Sequence, residues 1–248
     1  MLLTNGQVHD LDLNRTPNVR YYQLSSFRHG TGNSSTTGIC RQLPNPLNSA
    51  PVERALIVDL DQWVSDGVPP PANRVPSIKK GTLVPSLPLP GSRFPTNIPN
   101  PQTTLPATPF VAYNGLLHTG DLWGFGPQFD QAIISIIPPI SLGTPYKIYV
   151  PKTDADGNDI AGVRVPSVEV PIATYTGWDL RAGNSADPEP IVDGCDATGQ
   201  YIPFASTLAQ RMANGDPRKS LQERYGNPDG TNANYVAAVD GRGQETGE

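Results

Sequence analysis

Val52, Ala55, Leu56, Leu60, Trp63 and Val64 recur at three- and four-residue steps, which places an apolar stripe along one helical face. The spacing predicts a helix over Pro51–Asp66. Asn48 or Ser49 suits its start, Glu53 its first turn and Gly67 its end. Upstream, Val19-Arg20-Tyr21-Tyr22-Gln23-Leu24 is rich in β-branched and aromatic side chains and predicts a buried strand. Further along, Ala132–Ile137 is a short apolar run stopped by Pro138-Pro139. Tyr146–Val150 and Gly162–Val165 predict strands, and the Asp-Gly and Gly-Asn pairs within Asp154–Asp159 predict a hairpin turn between them. Val168–Thr176 is a third β-like run. Phe204–Ala213 and Ser220–Tyr225 predict short helices, the first closed by Asn214-Gly215.

Composition qualifies this pattern. The chain has 248 residues, enough to bury a real core, but 28 prolines and 24 glycines against 37% hydrophobic residues. Proline removes backbone donors, so much of the chain is expected in loops, turns and edge strands. From Pro69 to about Pro109 no periodicity survives, which predicts an extended surface wrap. Four regions follow: 1–68 with the strand and helix, a proline-rich wrap at 69–110, a β-rich extension at 111–182, and 183–248 with loops and short helices.

Charge and motifs exclude several function classes. A net charge of −5 offers no basic surface for nucleic acid. No apolar run is long enough for a membrane span. His9 and His118 lack ligand-spaced companions, so no metal site is expected, and no cofactor motif occurs. In Asp154-Ala155-Asp156-Gly157-Asn158-Asp159 the glycine falls at the wrong position for a calcium loop, and a turn is the better reading. Cys40 and Cys195 admit one bridge or two buried thiols.

The candidate chemistry lies after the first strand, in Ser25-Ser26-Phe27-Arg28-His29-Gly30. An imidazole on a loop is free to take a proton from a serine and return it to a leaving group. By itself the pattern equally suits an exposed histidine with no role. Ser25, Ser26, Ser34 and Ser35 sit at no strand-to-helix elbow and read as turn formers. Asp10 and Asp12 stand too close to Val19 for a parallel crossover and read as solvated loop carboxylates. Trp123, Phe125 and Phe129 read as core or lid packing. No Gly-x-Ser-x-Gly motif occurs.

Several segments carry a family likeness: Pro17–Tyr22 through His29-Gly30, Asn45-Pro46-Leu47, Asp61–Gly67, Thr174–Arg181, Gly199–Ala205, Gly215–Arg218 and Ser220–Gly226. In this order they resemble the C-terminal part of large bacterial proteins with an alpha/beta hydrolase domain. The resemblance implies an α/β class and a C-terminal fragment of that fold: last core strand, histidine loop and closing helix, then the extension and short helices. It implies an esterase-type serine hydrolase with His29 as general base, acting on a small acyl or ester substrate in the intact protein. The nucleophile and acid would come from an N-terminal half, the expected partner, so this chain alone would be inactive. Tyr175 and Trp178 would line a substrate pocket if the wrap folds back. The departure at Asp240–Gly243 predicts a frayed tail. The alternative is a non-catalytic binding or capping module that docks onto another domain; proline and glycine content alone would also suit a stand-alone structural protein.

Overall fold

The computed structural model describes residues 10, 12–13, 16–29, 35–85, 121–145, 149–182, 195, 197–226 and 231–245. The β-branched and aromatic run near the start takes extended pairing on both sides. Tyr22 bridges Arg74 and Leu24 bridges Val163, both in parallel. Gln23 N–H donates to the Arg74 carbonyl (2.9 Å) and Arg74 N–H to the Tyr21 carbonyl (2.9 Å). On the other side Ser25 N–H donates to Val163 (3.0 Å), and Val163 N–H donates to Gln23 (2.7 Å). Between Leu24 and Arg74 the chain forms helix α1, Ala50–Asp66. The predicted buried strand is thus reduced to isolated bridges: residues 20–24 are half-buried, Val19 is exposed, and helix α1 lies in the connection between the parallel partners Tyr22 and Arg74.

Helix α1 begins one residue before the predicted start. The Asn48 side chain accepts the Ala50 N–H (3.0 Å), and Ser49 provides no side-chain cap. Pro51 sits in the first turn, where a missing N–H breaks no helical bond. Gly67, at φ 70°, ends the helix in a left-handed conformation. The predicted stripe divides. Its Val52, Leu56 and Trp63 are half-buried, with the Arg20 guanidinium 4.8 Å above the Trp63 ring, whereas its Ala55 is exposed. Ile57, Leu60 and Val64 face outward, at 66%, 55% and 78% exposure.

Regular strands pair in three two-stranded antiparallel sheets among the described residues. Strand β1 (Leu83–Pro85) pairs with β4 (Tyr149–Pro151), and β2 (Asp121–Gly124) with β3 (Ile140–Pro145). Strand β5 (Ala173–Thr176) pairs with β6 (Gln200–Pro203), with Thr174 opposite Ile202. The expected pairing of 146–150 with 162–165 is replaced: β4 takes β1, and Val163 lies beside Leu24. The turn between them is present, closed by a Thr153–Asp159 bridge. The Asp154 carboxylate accepts the N–H groups of Asp156 (2.9 Å) and Asn158 (3.0 Å), an Asx-type cap on the turn.

Ala132–Ile137 is no strand. A 3-10 turn at Phe129–Gln131 leads into Ala132 at φ 64°, and the isoleucines at 133, 134 and 137 are exposed. Trp123 and Phe129 are also exposed, so they are not core residues, although Phe125 and Phe129 stack at 4.7 Å. The run 168–176 divides into a short helix α2 (Pro166–Glu169) and β5.

Three helices complete the chain. Helix α3 (Leu208–Asn214) starts later than predicted because β6 occupies the residues up to Pro203, and Thr207 Oγ1 caps it at Gln210 N–H (3.1 Å). Helix α4 (Leu221–Tyr225) has a capping box: Ser220 Oγ accepts Glu223 N–H (3.2 Å) and Glu223 Oε2 accepts Ser220 N–H (2.8 Å). The tail expected to fray is helix α5, Ala233–Glu245, which lies alongside α2 and sets Tyr235 edge-on to Tyr225 at 5.2 Å.

The apolar core is small. Leu47, Val168, Ala173 and Tyr175 form its buried centre, with Phe27, Val165, Ile172 and Tyr201 packed around it. Beside it lies a buried ion pair, Arg218–Asp216 at 2.7 Å, whose guanidinium also reaches Thr174 Oγ1 (2.9 Å) and the Ile202 carbonyl (2.8 Å). Cys40 and Cys195 form a disulfide, 155 residues apart in sequence.

Candidate functional site

The first strand ends in a buried elbow. Ser25 is fully buried and its hydroxyl donates to the Ala161 carbonyl (2.7 Å). Ser26 takes φ 62°, a left-handed conformation that a residue with a Cβ resists. Each of its polar groups is engaged. Its N–H donates to Asp159 Oδ2 (2.7 Å), its Oγ accepts the Asp159 N–H (2.8 Å), and its carbonyl accepts Asn45 Nδ2 (2.7 Å). A catalytic serine needs its oxygen open beside a base. Ser26 is only 3% exposed and its oxygen is engaged, so it shapes the backbone and is not placed as a nucleophile.

Beyond Ser26 the chain lies over the β5–β6 end. Gly177 sits so close to Phe27 that an added Cβ would stand 2.5 Å from the Phe27 carbonyl. Gly199 has the same function beneath Arg28, where a Cβ would meet the Arg28 Cβ at 3.1 Å and the Thr176 carbonyl at 2.1 Å. His29 then emerges into solvent, the first exposed residue after the elbow. Among the described residues no hydrogen bond or ion pair holds its ring.

The floor beneath this loop is polar. Asn45, fully buried, donates to the Ser26 and Thr176 carbonyls, and its own N–H donates to Thr198 (3.0 Å). Gln200 Nε2 donates to Thr176 Oγ1 (3.1 Å) and to the Trp178 carbonyl (2.9 Å). Two carboxylates flank the floor, Asp179 buried and Asp159 half-buried. Burial pushes the Asp159 carboxyl up to about 6, against the pull of the Ser26 amide. Burial pushes Asp179 further, to about 8, opposed by the Leu180 and Gln42 amides and by Arg41.

The predicted site residues meet different fates. His29 is on the surface beyond the parallel-bridged segment. Trp178 is half-buried, next to Gly177 under the histidine loop. Tyr175, expected to line a pocket, is instead a core residue at 4% exposure. All four residues of β5 are buried, and its ring packs 5.7 Å from that of Tyr201, so burial raises its phenol pKa. Asp10 is no solvated carboxylate either: it accepts Ser77 Oγ (2.7 Å), Ile78 N–H (2.7 Å) and Lys79 N–H (3.0 Å). His9, His118 and Ser34 lie outside the described residues. Among the described residues no group of three or more histidine, cysteine or acidic side chains is placed to hold a metal ion.

Sequence reasoning missed the supporting residues Asn45, Asp159 and Gln200. Asp159 and Ser26 are separated by 133 residues, and no local periodicity signals such a contact. The one available hint was Asn45 before Pro46-Leu47, a polar residue entering the core at the start of an apolar segment.

A family model described as "Alpha/beta hydrolase domain" matches residues 4–246. No curated protein and no solved structure matches the chain significantly.

Proposed function

The chain belongs to the alpha/beta hydrolase domain family, and on that premise we propose that it supplies the general base, His29, of an esterase-type serine hydrolase. The observation that carries this reading is position. His29 follows an extended segment that makes isolated parallel bridges on either side, Tyr22 to Arg74 and Leu24 to Val163, and parallel-paired segments of α/β folds present their chemistry beyond their carboxyl ends. The imidazole removes the proton from a serine hydroxyl as its oxygen attacks the acyl carbon. The resulting imidazolium returns that proton to the departing alcohol, and a water then repeats the sequence to release the acid. The serine and the orienting acid come from a segment outside these residues, since no elbow serine occurs in the chain. Trp178, half-buried under the loop, is the side chain that lines the approach of a small acyl or ester substrate.

Joined to the segment that bears the nucleophile, the protein should hydrolyse activated esters, and His29→Gln should lower kcat by about a hundredfold or more. The chain alone should neither turn over esters nor react with a fluorophosphonate. A labelled serine in the isolated chain, or full activity in His29→Gln, overturns the assignment. A second reading, a capping module without catalysis, is favoured by the outward apolar residues of α1. Tight association without hydrolysis would select it.

A further inference from the structure

We propose that Asp159 and Asn45 are positioning residues for His29: together they clamp Ser26 in its left-handed conformation and so set the direction in which the histidine loop leaves the strand. Left to itself, an L-residue in this region is strained by its Cβ, and it relaxes unless its surroundings over-determine it. Here they do. The amide donates to the Asp159 carboxylate, the hydroxyl accepts the Asp159 backbone N–H, and the carbonyl accepts the Asn45 amide, so one residue is held by two that are 133 and 19 residues distant in the chain. Asn45 has no exposed surface, and half-buried Asp159 closes a reciprocal pair through its backbone N–H and the Ser26 hydroxyl.

A glycine would adopt φ 62° with no clamp at all. The chain uses serine, with converging partners, at the last point before the loop turns outward. Phe27 is then packed against the apolar core, its carbonyl lies over Gly177, and the Arg28 Cβ lies over Gly199. Rigidity thus extends to the residue before His29, and only the imidazole projects. A general base has to be presented in one direction, because misplacing a reacting group by about 1 Å lowers rates by about a hundredfold. The functional meaning of the clamp rests on the reading of His29 as base; the clamp itself is a structural statement and can be tested without it.

The test is the Cε1–H resonance of His29 in the full chain, assigned by its disappearance in His29→Gln among the three histidines. Wild type and Asp159→Asn, whose amide oxygen still accepts the Ser26 N–H, should give one narrow line. Asp159→Ala should shift and broaden or split it. If Asp159→Ala fails to fold, as judged by near-ultraviolet circular dichroism, two substitutions at Ser26 decide the matter. Ser26→Gly permits positive φ without the hydroxyl and should preserve the line. Ser26→Thr keeps the hydroxyl but its branched Cβ resists positive φ, and it should split the line. The reverse pattern, or no change in either, overturns the proposal. In the assembled hydrolase, Asp159→Ala should lower kcat while KM stays close to wild type. If His29→Gln hydrolyses esters normally while Asp159→Ala still moves the His29 line, the catalytic reading fails and the clamp stands.

Discussion

Arg218, with 2% of its surface exposed, is sunk between β5 and β6, while Val64, on α1, is 78% exposed. Hydrophobicity alone would exchange the two. Around β5–β6 the interior is held by specific polar geometry: Arg218 on Asp216 and Thr174, Asn158 bridging the Ala173 carbonyl and the Tyr175 N–H, Asn45 on Ser26 and Thr176. Every such bond has a direction, and a partner removed leaves a buried group unsatisfied. On α1 the outward Ile57, Leu60 and Val64 make no such demand, and the helix is placed by its inner face against Arg20. The contrast teaches where this chain tolerates change least: at the centre, where removing one partner strands a buried polar group, and not on the outward face of α1.

Breaking the centre should have the largest effect. Arg218→Met leaves Asp216 buried without its partner and should lower the unfolding free energy by about 3–5 kcal/mol, measured by urea denaturation. The double change Arg218→Met with Asp216→Leu should recover part of that loss. A single Arg218→Met variant as stable as wild type would show that the polar centre is ornamental.

A smaller effect sharpens the comparison through pH. Asp159 and Asp179 have folded-state pKa values raised to about 6 and about 8, so the folded chain holds protons that the unfolded chain releases near pH 4. Their contribution to stability is therefore full below about pH 4. It is lost as pH rises, through about 6 for Asp159 and about 8 for Asp179. The urea midpoint should fall between pH 5 and pH 8.5, and Asp179→Asn should flatten the upper part of that decline. A midpoint that rises over this range would contradict the burial of both groups.

The smallest effect belongs to the outer face. Ile57→Ser and Val64→Ser should each change stability by no more than about 0.5 kcal/mol in the isolated chain. A larger loss would mean that the outward face of α1 is packed in solution.

Legibility in the sequence follows the same division. Helix α1 was readable because its signals are local: recurring apolar steps, Asn48 before it and Gly67 after it. The run before His29 was readable as extended but not as half-buried and singly bridged, and the short helix at Ser220–Tyr225 was readable in place. Which half of the α1 stripe faces inward was not, because that depends on where Arg20 and Tyr22 lie. The partner of β4 was misjudged for a related reason: a nearby turn was present, yet the strand edge is filled by Leu83–Pro85 from far upstream. The tail α5 escaped because its glycines argue against a helix, while the Tyr225–Tyr235 contact that anchors it is tertiary. At the candidate site the histidine could be singled out from its neighbours in sequence. Its supports could not, since Asp159 and Asn45 reach Ser26 only after the chain has folded back on itself.

The bond between Cys40 and Cys195 encloses 155 residues of sequence separation, including α1, five of the six strands and the proline-rich stretch. Any single backbone cleavage inside that circuit leaves two polypeptides that still travel as one molecule. A protease acting there would yield two bands only after thiol treatment, and His29, upstream of the ring, would stay tethered to its distant carboxylate support throughout.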